Sequence, residues 1–354
     1  PHLLSSIPYC LTNGVQFIKG VGFLFSFFGN FRELVVFPCG MRCHRGIISD
    51  RIDSVVLAVM LKLRDDKEER FMLRKIAWSI AGLAIPVFTV GKILRMVFFL
   101  DGETGLYESD NLWGLLLIGG ILAVGILLFL LCRLDRSQEG EFSSSSAPVP
   151  AVFGMLAGAA VLIDAVSGLF DLTGGTASVM GEQPLLSAVA SLAGIFAGLF
   201  LIVWSASLWG SGMLLEQYPL TGLILPVWGF LYLAMLFTRY TAEFTLESNC
   251  YLILPFSLLV LFLYAQSSFF SLAGGGEARR KMVQYGLPGA VFGIASSLPE
   301  LICRILGLPF ENALPVPLSL TMLTLSLYAL TVLWHFRRPG SSHSRIPGFA
   351  KKYL

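Results

Sequence analysis

From Ile76 onward the chain contains eight stretches of about 20 or more nearly uninterrupted apolar residues. They cover about 76–100, 112–132, 149–171, 184–209, 221–241, 250–273, 285–308 and 317–336. A helix of about 20 residues crosses roughly 30 Å of hydrocarbon. In that medium the backbone must satisfy its own N–H and C=O groups, which leaves helices or closed barrels. The runs are Leu, Ile, Val, Phe, Ala and Gly on nearly every face, with no polar stripe at helical spacing, as in helices that are buried or lipid-embedded. They predict an all-α fold, a polytopic transmembrane helix bundle of about eight spans. Of the 354 residues, 55% are hydrophobic and 14% charged, and the mean hydropathy is +0.74. Soluble domains carry about 25% charged residues. A soluble enzyme, a nucleic-acid binder, a disulfide scaffold and a disordered chain all conflict with this composition. The expected partner is a lipid bilayer, with no nucleic acid. The net charge of +2 points to no further partner, because the basic residues lie in bands set by the membrane.

Lys and Arg in the connections set the orientation. Residues 60–75 and the segments after the second, fourth, sixth and eighth runs hold sixteen, among them Arg74, Lys75, Arg133, Arg279, Arg280 and Lys281. The connections after the odd-numbered runs hold none, but carry Asp101, Glu103, Glu108, Asp110, Glu182, Glu243, Glu247 and Glu311. Both ends of the bundle are expected in the cytoplasm. Connections of roughly 8–15 residues leave no room for a folded domain between spans.

Residues 1–59 look unlike the rest. They hold three of the six cysteines and no sustained period, and are expected to lie outside a native protein that starts at Met60 or Met72; an interfacial helix near 15–37 is the rival reading. Residues 60–75 form a charged cytoplasmic lead-in, 76–336 the membrane domain and 337–354 a basic cytoplasmic tail. Cys39, Cys43 and His44 fall short of the four ligands of a structural zinc site, so neither metal nor cofactor is expected.

Within the runs, Pro86, Pro226, Pro255 and Pro299 predict kinks. Trp78, Trp113, Trp204, Trp209 and Trp334 lie toward span ends as interfacial anchors should, with Trp228 deeper. The pairs Gly154/Gly158, Gly194/Gly198 and Gly289/Gly293 predict close helix approach. The third and seventh runs read AVFGMLAGAAVLIDAVSGL from Ala151 and AVFGIASSLPELICRILGL from Ala290, sharing eight of nineteen positions at an offset of 139. Arg95, Asp164, Arg239 and Arg304 recur at 69, 75 and 65 residues. The expectation is four repeated helical hairpins in parallel, unlike the inverted repeats of many transporters.

Lys92, Arg95, Asp164, Arg239, Glu300 and Arg304 are charged residues within apolar runs. A charge at the bilayer centre costs about 2.5–3.5 kcal/mol on insertion scales, so such residues are candidate functional groups. Glu300 and Arg304 are four apart, a spacing that permits an ion pair along one helix. If the hairpins surround an axis, these groups converge on a vestibule suited to a small anionic or zwitterionic ligand held by Arg. The alternative is a network in which the charges pair and fix helix register.

The motifs of serine hydrolases, zinc proteases, P-loops and dinucleotide folds are absent,, so no catalytic residue is expected and an enzyme is the least favoured class. The phrases FFLDGETGLYE, FTRYTAEF and SSLPELI resemble segments of a family of uncharacterised multi-spanning membrane proteins of anaerobic bacteria, from about Met60 onward. The resemblance implies this topology and a bacterial cytoplasmic membrane, and no chemistry. Two functions remain open: a carrier or sensor for the small ligand, or a structural or accessory subunit with a membrane protein partner.

Overall fold

The computed structural model describes residues 67–99, 112–134, 146–173, 184–210, 218–240, 246–271, 275–307 and 315–336. The expectations for 1–59, for Cys39, Cys43 and His44, and for the 337–354 tail therefore lie outside the described residues. Helix α1 spans Lys67–Phe98, α2 Leu112–Leu134, α3 Pro148–Thr173, α4 Pro184–Trp209, α5 Ile224–Tyr240, α6 Leu246–Phe270, α7 Gly275–Ile305 and α8 Val316–His335. A 3-10 turn, Pro219–Leu223, leads into α5. Among the described residues there is no strand. All eight helices are long and apolar enough to cross a membrane. The chain is a multi-pass membrane protein.

Prolines punctuate the starts. Pro148, Pro184, Pro219 and Pro317 stand in first turns, where the missing N–H has no partner to lose and the fixed φ suits the helix. Pro226 belongs with them. It was expected to kink a span, but it is the third residue of α5, so it removes no interior hydrogen bond. Pro86, Pro255, Pro288 and Pro299 are the helix-interior ones.

Helix α7 begins ten residues before its apolar run, because a helix need not stop where the hydrocarbon does. Glu277 in its first turn pairs with Arg280 at 3.3 Å and Lys281 at 3.5 Å. Its carboxylate also suits the helix N-terminus. Arg279 is buried and donates to the Phe336 carbonyl, satisfying an acceptor left open where α8 ends.

Helices α3, α4, α5, α6, α7 and α8 pack each on the next, and α8 returns to α3. The α1–α2 hairpin docks outside this ring, with both helices on α7. Helix α7 is thus the most enclosed, 78% of its apolar window being buried, against 33–44% in α1 to α5. The α3–α4 contact depends on absent side chains: a Cβ on Gly158 would fall 2.8 Å from the Gly198 carbonyl, and one on Gly198 2.8 Å from the Gly158 carbonyl. The inside of the ring is filled by large side chains, including Trp204, Trp228, Tyr328, Phe262 and Phe270. Trp204 corrects an expectation. It is fully buried, and its Nε1 donates to the Tyr328 hydroxyl at 3.1 Å, so it is a core residue and no interfacial anchor. Trp113, Trp209 and Trp334 are exposed, as anchors should be.

Candidate functional site

Helices α1 and α7 finish at the same end of the bundle, where α8 begins. Lys92 lies six residues before the end of α1, Glu300 five before the end of α7, and Ser319 is the fourth residue of α8. The Lys92 ammonium donates to Glu300 Oε1 at 3.0 Å and to the Ser296 carbonyl at 2.7 Å. The Tyr251 ring of α6 stands 4.8 Å from Lys92 Nζ, a cation–π distance. Ser319 Oγ donates to the second carboxylate oxygen, Glu300 Oε2, at 3.1 Å. The two charged side chains are only 9% and 13% exposed, so this pair is held largely away from solvent and lipid.

The sequence explains part of this geometry. Pro299 has no N–H for the carbonyl four residues back, and its ring crowds that carbonyl, which loosens the helical ladder. The Lys92 ammonium meets the Ser296 carbonyl in this same turn of α7. The long, unbranched Lys92 side chain spans from α1 to α7, and its three N–H donors match the carboxylate, the carbonyl and the ring face.

Arg95, one turn beyond Lys92, is 5% exposed. Its guanidinium lies on Gly114 of α2, where a Cβ would overlap it. Trp113 Nε1 donates to the Gly91 carbonyl at 3.5 Å, a second tie between α1 and α2. Asp164 of α3 accepts a hydrogen bond from the Tyr232 hydroxyl of α5. Tyr232 in turn packs on Trp228 and Phe256, with ring centroids 5.5 and 5.2 Å away. Arg304 is half-buried in the last turn of α7. Arg239 is in the last turn of α5, and its side chain lies outside the described residues. Of the six residues singled out by sequence, then, Lys92 and Glu300 meet. Glu300 turns across to α1 and α8 instead of along its own helix to Arg304.

Comparison with protein-family models, curated proteins and solved structures finds no match.

One polar cluster has no counterpart among the sequence expectations. The Tyr328 hydroxyl of α8 accepts from Trp204 Nε1 and from Gln266 Nε2 of α6, and all three residues are at most 1% exposed. Ser205 Oγ and Gln266 Oε1 are buried beside them without a hydrogen-bond partner. The signal was Gln266 itself, an amide inside an otherwise apolar run. Among the described residues no group of three His, Cys, Asp or Glu is placed to hold a metal ion. Beside the ion pair, a narrow apolar crevice with room for little more than one water molecule lies between α2, α6 and α7,. Ile118, Leu122, Tyr251, Leu254 and Phe292 line it.

Proposed function

We propose that the protein is a structural or accessory subunit of a membrane complex, with intramembrane charges that hold its helices in register. The carrying observation is the Lys92–Glu300 pair, whose donors and acceptors are taken up by Ser296, Ser319 and Tyr251. Removing one member of such a buried pair leaves a charge without compensation, whereas the intact pair contributes little net stability and can fix geometry. The lysine-rich and arginine-rich connections support a placement with both ends of the bundle in the cytoplasm of a bacterium.

The hairpins α3–α4 and α7–α8 are read as copies of one unit. Gly154 and Gly293 occupy the same place in the two aligned runs. A Cβ on either would collide with a serine hydroxyl of the following helix, Ser205 for Gly154 and Ser326 for Gly293.

A second reading, a carrier or sensor for a small anionic or zwitterionic ligand, draws on Lys92 and Arg95. These two cations lie one turn apart on α1 and are both buried. A thermal-shift screen of the detergent-purified protein against inorganic anions and amino acids separates the two. The subunit reading expects no stabilisation, and a protein partner that co-purifies. Stabilisation that is lost in Arg304→Ala or Asp164→Asn, with expression intact, would overturn it in favour of the carrier or sensor.

A further inference from the structure

The α1–α2 hairpin is fastened to the ring along one face of α7. Tyr285, Phe292, Ser296 and Glu300 follow one another at intervals of seven, four and four residues, a spacing that keeps them on one side of a helix. Each of them meets the hairpin. The Phe129 ring of α2 lies 6.0 Å from that of Tyr285, and the Phe292 ring covers Gly125 of α2 where a Cβ would stand. Lys92 of α1 takes the Ser296 carbonyl and the Glu300 carboxylate. Toward the other end of α1, Trp78 meets Trp334 of α8 edge to face at 5.3 Å.

Each side of this contact is built from its own packing. Within the hairpin, Leu117 of α2 sits on Gly91 of α1, and Arg95 of α1 on Gly114 of α2. The ring closes through α3 to α8, and Trp204, Trp228, Tyr328, Phe262 and Phe270, which fill it, all belong to its own helices. Lipid tails are as apolar as leucine, so no hydrophobic force presses a helix pair onto a bundle, and specific contacts must hold it there. The spans of α1 and α2 have mean hydropathies of 1.7 and 3.0, which suit them to lipid once detached. Lys92 is the charged tie. It lies six residues before the end of α1, from where its long stem can carry the ammonium toward headgroup depth when the pair opens.

We propose that the α1–α2 hairpin is a separately undocking unit, latched by Lys92 and Glu300, which leaves α7 as one piece while the six-helix ring stays folded. Opening of a contiguous unit below the global unfolding free energy is a general property of folded chains. Undocking uncovers the face of α7 from Tyr285 to Glu300, an intramembrane surface that carries a carboxylate. The device stands whether the protein is a subunit or a carrier.

The test follows two separations in the full chain by paired spin labels, carried on unnatural amino acids, as sodium dodecyl sulfate is titrated into neutral micelles. One pair, at Leu115 of α2 and Val316 of α8, reports hairpin against ring. The other, at Phe170 of α3 and Val316, reports the ring itself; all three positions are exposed. The first separation is expected to lengthen at a lower dodecyl sulfate fraction than the second. Lys92→Ala should raise the undocked population at least about tenfold at a fixed fraction, given the cost of breaking a buried pair, and leave the ring transition in place. Gly158→Ala, inside the ring, should move only the second transition. A single transition shared by both pairs, a ring that opens first, or a Lys92→Ala shift equal in both would overturn the proposal. If Lys92→Ala does not fold, Ser319→Ala decides, since it loosens the carboxylate and keeps both charges: a smaller shift confined to the first transition is expected, and an equal shift in both refutes the latch.

Discussion

Lys92 and Glu300, 208 positions apart in the chain, meet at 3.0 Å with their charges held between three helices. Lys92→Ala would leave the Glu300 carboxylate buried with only Ser319 as partner, and Glu300→Gln would leave the ammonium. Either change is expected to destabilise the folded protein by about 3–5 kcal/mol, the range for breaking a buried pair. The double change Lys92→Met/Glu300→Gln is expected to recover most of that loss. Chemical unfolding in micelles measures it, and equal losses in single and double variants would refute the coupling.

Tyr328→Phe removes the acceptor shared by Trp204 and Gln266 and leaves two donors buried. Each such donor costs about 1–3 kcal/mol. A Gln266→Leu change in that background should therefore cost less than it does alone. A double-mutant cycle on the unfolding midpoint checks this, and additive losses would show that the three groups act independently.

Gly158→Ala puts a methyl group against the Gly198 carbonyl. The methyl also meets Ile202 Cγ1 at 2.7 Å, but the Gly198 carbonyl is backbone and cannot swing aside, so relief requires α3 and α4 to move apart, at about 1–3 kcal/mol for overpacking. Gly82→Ala serves as the control, since a Cβ there meets nothing within 4 Å. Unfolding curves for the two variants should differ by that margin, and equal curves would contradict the close α3–α4 contact.

Reporter fusions at Tyr107 and at Arg280 should fall on opposite sides of the membrane. The first lies in an acidic connection after α1 and the second in the basic start of α7. Matching signals would contradict eight alternating spans.

The spans were legible because each is a run long enough to cross hydrocarbon, and hydropathy depends on composition alone. Helix ends were less so. The start of α7 reads as a connection since Arg279, Arg280 and Lys281 are polar, yet Arg279 is buried against the end of α8. The partner of Glu300 was not legible at all. Sequence spacing offers Arg304 at i+4, but which helix packs beside α7 is a tertiary fact, and α1 brings Lys92. Trp204 likewise looked like an anchor from its place near a span end. Position along a helix gives depth, while the face it occupies decides between lipid and core.

The close packing around α7 bears on how the chain is made. Its apolar window has the lowest mean hydropathy of the eight, 1.3, against 3.0 for α2, so as an isolated segment it partitions into the bilayer least readily. It also emerges from the ribosome after α1, α2 and α6 have been synthesised. Those earlier helices supply the sheltered, partly polar berth that lipid alone would deny it, and Lys92 waits there as counter-ion for the arriving Glu300.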